Sequence, residues 1–103
     1  MAKSYGWIIT EDHCGGSYKG RLRLIGTPAE KIDLEVRLRS EGEGTPFLIY
    51  DGDGTLDYAG RIVVPDGEEG GKLWFAPLDW AKANSGSAEI RYHNADNGKW
   101  EVL

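Results

Sequence analysis

Glycine sets the first limit on what this chain can become. Fifteen of its 103 residues are glycine, about twice the usual share of roughly 7%. They are scattered along the whole sequence, so many turns must separate short elements. Between them lie apolar runs with the two-residue period of strands. YGWIIT (5–10) reads as a buried strand ending in the polar run EDHCGG (11–16), and YKGRLRLI (18–25) alternates basic and apolar residues as a half-buried strand does. FLIY (47–50) and LDYAGRIVV (56–64) flank Asp51–Thr55 as a hairpin, PDGEEGG (65–71) is a second turn, and KLWFAPL (72–78) reads as another strand. Ile90/Tyr92 and Trp100/Val102 alternate on two strands around NADNG, where asparagine and glycine accept the positive φ of a hairpin turn.

One segment carries two signals. In TPAEKIDLEVRLRSEGEG (27–44), Ile32, Leu34, Val36 and Leu38 alternate with charged residues as in a strand. Against this, Thr27 and Glu30 have capping-box spacing with Pro28 at the first helical position. Asp33/Arg37 and Glu35/Arg39 are acid-then-base pairs four apart, and Gly42 suits a helix end. The capping and charge order favour a helix over 28–40, although Ile32/Val36 and Leu34/Leu38 then point to nearly opposite sides. DWAKAN (79–84) suits one further helical turn with Asp79 capping its start. The expected fold is a single α+β domain over 1–103: a mostly antiparallel, curved or barrel-like sheet of short strands and hairpins, one helix near 28–40, and a short helical turn near 79–84.

Net charge is −5, and it is unevenly spread. Residues 41–79 hold nine Asp/Glu against two Lys/Arg, a balance of 2 − 9 = −7, while residues 80–103 hold three of each. An acidic middle argues against direct nucleic-acid binding, which needs clustered basic residues. It points instead to a basic protein partner met by Glu41, Glu43, Asp51, Asp53, Asp57, Asp66, Glu68 and Glu69. The single cysteine, Cys14, rules out an intramolecular disulfide. MAKSYGWIIT has no signal-peptide run and no stretch approaches eighteen apolar residues, so the expectation is a cytoplasmic chain with no membrane span.

The glycine-spaced acids of YDGDGTLDYAGR (50–61) invite a calcium reading. An EF-hand loop needs oxygen ligands at positions 1, 3 and 5, glycine at 6 and glutamate at 12. Counted from Asp51, position 6 is Leu56 and position 12 is Ile62; counted from Ile49, the first ligand is apolar. Both registers fail, and a hairpin turn gives every residue a role. His13, Cys14 and His93 are the remaining metal or thiol candidates, but no Cys-x-x-Cys or His-x-x-x-His spacing supports them. The aromatics mostly fall on alternating strand positions where core packing is the ordinary use. Trp80, beside a loop, is the best candidate for a ligand-stacking surface. No phosphate loop is present, since GDG and GEEGG lack the lysine or the strand–loop–helix setting. No catalytic residues and no cofactor are expected.

Three stretches, YGWIITEDH (5–13), GTPFLIYDGDGTLDYAGRI (44–62) and FAPLDWAKANSGSAEIRYHNADNGKWEVL (75–103), together resemble a group of small uncharacterised proteins from actinobacteria and bacteriophages. The resemblance covers over half the chain and departs at Asp57, where the group has tyrosine, and at Leu48, where arginine is common. It implies a helix before the hairpin and brings no activity with it. The resulting expectation is a non-enzymatic interaction protein of phage or mobile-element type, acting on a host factor as an anti-defence inhibitor would. The alternative is a small-ligand or carbohydrate-binding module that uses exposed aromatics, with chemistry at His13, Cys14 and His93 more remote.

Overall fold

The computed structural model describes residues 4–64 and 73–103. The strands are β1 (Tyr5–Asp12), β2 (Leu22–Ile25), β3 (Thr45–Tyr50), β4 (Leu56–Val63), β5 (Glu89–Asn94) and β6 (Lys99–Val102). They form one six-stranded sheet in the order β2-β1-β4-β3-β5-β6, every neighbouring pair antiparallel. Helix α1 (Pro28–Glu35) lies between β2 and β3, and helix α2 (Ala76–Ser85) between β4 and β5. The α+β class and the antiparallel sheet are as the sequence predicts. Among the described residues the sheet is open, with β2 and β6 as its edges, so it is not closed as a barrel.

Side chains alternate across a strand, so each strand feeds two faces. On the front face Trp7, Ile9, Phe47, Ile49, Tyr58, Ile62, Ile90 and Tyr92 make one buried cluster with Leu78 and Ala81 of α2. Gly60 sits at its centre between Ile9 and Phe47. A Cβ there would fall 2.1 Å from the Ile8 carbonyl oxygen and 2.5 Å from Phe47 Cζ, so the Phe47 ring occupies the space that glycine leaves.

Helix α1 begins as predicted. Thr27 Oγ1 accepts from the Glu30 amide at 3.3 Å, and Glu30 Oε1 accepts from the Thr27 amide at 2.8 Å. Ser4 Oγ also donates to Glu30 Oε2 at 2.5 Å. These hydrogen bonds, that from Ser4 foremost, hold the Glu30 carboxyl below its ordinary range. Asp33–Arg37 (3.6 Å) and Glu35–Arg39 (3.1 Å) both form. The helix resolves its two-sided apolar pattern by burying Leu34 and Leu38 against the reverse face of the sheet and leaving Ile32 and Val36 outside. Leu38 Cδ1 lies 3.3 Å from where a Cβ of Gly6 would be; the bare backbone of β1 makes its seat. From Val36 to Ser40 the backbone widens into a π-helical turn, the Glu41 amide reaching the Val36 carbonyl at 3.1 Å. Gly42, at φ 66°, follows as the helix stop.

Four sequence expectations are corrected. KLWFAPL contains no strand among its described residues: Leu73–Phe75 is a turn, and α2 runs ten residues from Ala76 rather than one turn at 79–84. The reason is Pro77, which cannot donate to a strand ladder but fits the first turn of a helix. Asp79 accordingly lies inside the first turn, its amide bonded to the Phe75 carbonyl at 2.9 Å, and caps nothing. The second strand is shorter than 18–25, because Tyr18–Arg21 closes as a turn with Arg21 N–H on the Tyr18 carbonyl at 2.8 Å. The turn expected at 65–71 lies outside the described residues. No helix among the described residues is long and apolar enough to cross a membrane.

Candidate functional site

The described acidic residues of the middle block sit at both ends of β3. Glu41 and Glu43 precede β3, and Asp51 and Asp53 follow it, separated by six strand residues or about 20 Å. Glu43 accepts from Arg37 Nε at 2.7 Å, and its carbonyl takes Arg61 Nη1 at 3.1 Å. Asp51 folds back on its own turn, Oδ1 accepting from the amides of Asp53 (2.8 Å) and Thr55 (3.0 Å). This is the turn chemistry the sequence suggests for that loop. Asp57 is buried and accepts from Ser87 Oγ at 2.6 Å. Asp66, Glu68 and Glu69 lie outside the described residues.

The other sequence candidates are likewise apart. Trp80 is half-buried, its ring packed on Tyr58 (5.0 Å), Tyr18 (5.1 Å) and Trp7 (5.4 Å), so it closes the rim of the core. Tyr18 Oη donates to Asn84 Oδ1 at 3.0 Å on the same rim, and the Tyr58 hydroxyl meets Ser85 Oγ. Burial, with Cys14 nearby, pushes the Tyr58 phenol up to about 12. His13 contacts Glu11 at 2.9 Å, and the Cys14 amide donates to Asp12 Oδ1 at 2.8 Å. His93 stands on β5, with β4 and β3 between it and β1, about 14 Å away by strand spacing alone. Among the described residues no three His, Cys, Asp or Glu side chains are grouped to hold a metal ion.

One exposed surface with binding character is absent from the sequence reading: the reverse face of β3, β5 and β6, and the outer edge of β6. Helix α1 and its π-helical turn pack on β2, β1 and β4. On the reverse face beyond them, the Arg91 guanidinium lies 4.4 Å from the Tyr50 ring centroid, a cation–π geometry. His93 packs edge-on against Trp100 at 5.2 Å. Trp100 is 41% exposed and Val102 60%. The pairing His93↔Trp100 and Arg91↔Val102 fixes this face, while Lys99 and Glu101 share the front side with Tyr92.

Among the described residues the outer backbone of β6 is open as well. Leu103 N–H bonds to the Ile90 carbonyl at 3.1 Å, continuing the β5–β6 register. Hydrogen-bonded and non-bonded pairs alternate in an antiparallel ladder. Lys99, Glu101 and Leu103 therefore turn their amides and carbonyls toward β5, and Trp100 and Val102 turn theirs outward. Among the described residues β6 has no second neighbour. Exposed apolar side chains and unspent ladder groups thus coincide on one short strand. Comparison with family models, with curated proteins and with solved structures returns no match for this chain.

Proposed function

We propose that this chain works by binding another protein chain, not by catalysis, and that it does so by strand addition at β6. The observation that carries this reading is the coincidence at Trp100 and Val102 of exposed apolar side chains with outward-facing backbone donors and acceptors. Natural sheets blunt their edges with charges, proline or bulges because such an edge templates pairing. On this short edge Lys99 and Glu101 alternate with Trp100 and Val102, and the outward ladder positions fall to the tryptophan and the valine. The partner that fits is an extended segment: main-chain hydrogen bonds supply affinity, and the exposed side chains of Trp100 and Val102 supply the apolar contact.

The test uses Val102→Pro. It removes an amide that β5 does not use, and proline is tolerated on an edge strand whose N–H faces solvent, so the fold is expected to survive. Proteins captured from the source organism by the tagged wild-type chain are expected to be lost with Val102→Pro and kept with Asp53→Lys. Capture unaffected by Val102→Pro and abolished by Asp53→Lys would overturn strand addition in favour of charge-led binding.

A further inference from the structure

We infer that the segment docking on β6 is β6 of a second copy of this chain, paired antiparallel about a two-fold axis at Trp100. The inference rests on the strand-addition reading and names its partner. It follows from which registers the edge permits. Outward ladder groups belong to Trp100 and Val102, so in a symmetric antiparallel pair one of these must face an outward residue of the other copy. Trp100 opposite Glu101 is excluded, because it sets outward groups against inward ones.

Two registers keep Trp100 paired within the strand. If Trp100 faces Val102 of the second copy, Glu101 lies directly opposite Glu101, a like-charge pair at the closest cross-strand spacing. If Trp100 faces Trp100, Lys99 lies opposite Glu101 of the second copy, and Glu101 opposite its Lys99. Both ion pairs then occupy non-hydrogen-bonded positions, where side chains approach most closely. The indole rings lie side by side on the reverse face, and the two Trp100 residues exchange N–H···O bonds. Charge therefore selects the Trp100-centred register.

The wider charge distribution agrees. Residues 80–103 carry Lys82, Arg91 and Lys99 against Glu89, Asp96 and Glu101, a balance of zero in a chain of −5. The acids of residues 41–53 flank β3 or lie in the turn after it, two strands in from the β6 edge. Two copies meeting at β6 present their neutral ends to each other, and the remaining charge is largely screened beyond about 8 Å at physiological salt. Because β6 has four residues, the contact is small, and the dimer belongs with weak, reversible associations.

The experiment is sedimentation equilibrium on the wild-type chain, Lys99→Glu, Glu101→Lys, and an equimolar mixture of the two variants. All four β6 side chains are exposed, so both variants are expected to fold, as amide spectra would verify. Each variant alone sets like charges opposite each other twice, and its dimer dissociation constant is expected to rise about tenfold or more. In the mixture the two acids on the strand of the Lys99→Glu variant face the two lysines on the strand of the Glu101→Lys variant. Both ion pairs are thereby restored, and heterodimers of wild-type strength are expected. A wild-type chain that stays monomeric at millimolar concentration overturns the inference, as does a dimer unaffected by both substitutions. A monomeric chain whose capture of other proteins is still lost in Val102→Pro would remove the second copy as partner while leaving strand addition standing.

Discussion

The orientation of helix α1 makes the sharpest quantitative test of the fold. Leu38 is completely buried, whereas Ile32, six residues earlier, is 68% exposed. In a strand over 30–38 these two residues would share a face and matter alike; in the helix they do not. Leu38→Ala removes three side-chain carbons from a site whose floor is the backbone of Gly6. That floor is held in the β1 ladder and has no side chain of its own, so of the groups around Gly6 only Leu24, whose Cδ2 also lies against it, could shift toward the void. Leucine-to-alanine changes in cores cost about 2–5 kcal/mol, more where the site cannot collapse, so a loss of about 3–4 kcal/mol is expected. A domain of this size has about 5–15 kcal/mol in total, and each kcal/mol moves Tm by about 4–8 °C. Ile32→Ala removes an exposed side chain and raises helix propensity, so its effect should stay within about 0.5 kcal/mol of zero. Urea unfolding followed by tryptophan fluorescence measures both, with unchanged m confirming a pure stability effect. Equal losses in the two variants, or a Leu38→Ala loss below about 1 kcal/mol, would refute the helix orientation.

Gly60→Ala is expected to cost at least about 3 kcal/mol or to prevent folding, because the new Cβ would lie 2.1 Å from the Ile8 carbonyl and overpacking alone costs about 1–3 kcal/mol; a variant as stable as wild type in urea would refute that packing. Asp51→Ala removes an acceptor for two turn amides and is expected to cost about 1 kcal/mol. Asp53→Ala at an exposed position should cost almost nothing by the same assay, and equal effects would contradict a structural role for Asp51. Burial raises the phenol of Tyr58 to about 12 and that of Tyr92 further, against about 10 in the unfolded chain. The unfolded chain therefore releases these protons first, so their contribution is complete below about pH 10 and is lost as pH climbs toward about 12. Urea midpoints should fall across that window and fall less steeply in Tyr92→Phe; a wild-type midpoint constant to about pH 11.5 would refute the burial of both phenols.

What the sequence reveals divides along the range of the interaction involved. The capping box at Thr27, the i,i+4 pairs of α1 and the Asp51 turn are local, joining residues two to four apart, and all are legible without knowing the fold. The start of α2 was missed although it too carries a local signal: the aromatic run KLWFAPL suggests a strand, and Pro77 argues against it. The face that α1 buries was not legible, because Leu34/Leu38 and Ile32/Val36 are equally spaced pairs. The choice depends on Gly6, some thirty residues away, whose missing side chain leaves room for Leu38 beside Leu24. The described acids of the middle block are split for a similar reason: nearness in sequence says nothing about the two ends of a strand, and β3 separates Glu43 from Asp51. The candidate surface depends on something subtler still, the parity of one hairpin. Four residues, 95–98, separate β5 from β6, and Gly98 at φ 70° closes the turn. That count pairs Trp100 with His93 and sends it to the reverse face. A register shifted by one residue would have turned Trp100 and Val102 to the front beside Tyr92, and Lys99 and Glu101 to the back. The same four side chains would then describe a core strand with a charged rear. Trp100 is thus a surface residue by register, and no property of the tryptophan itself announces it.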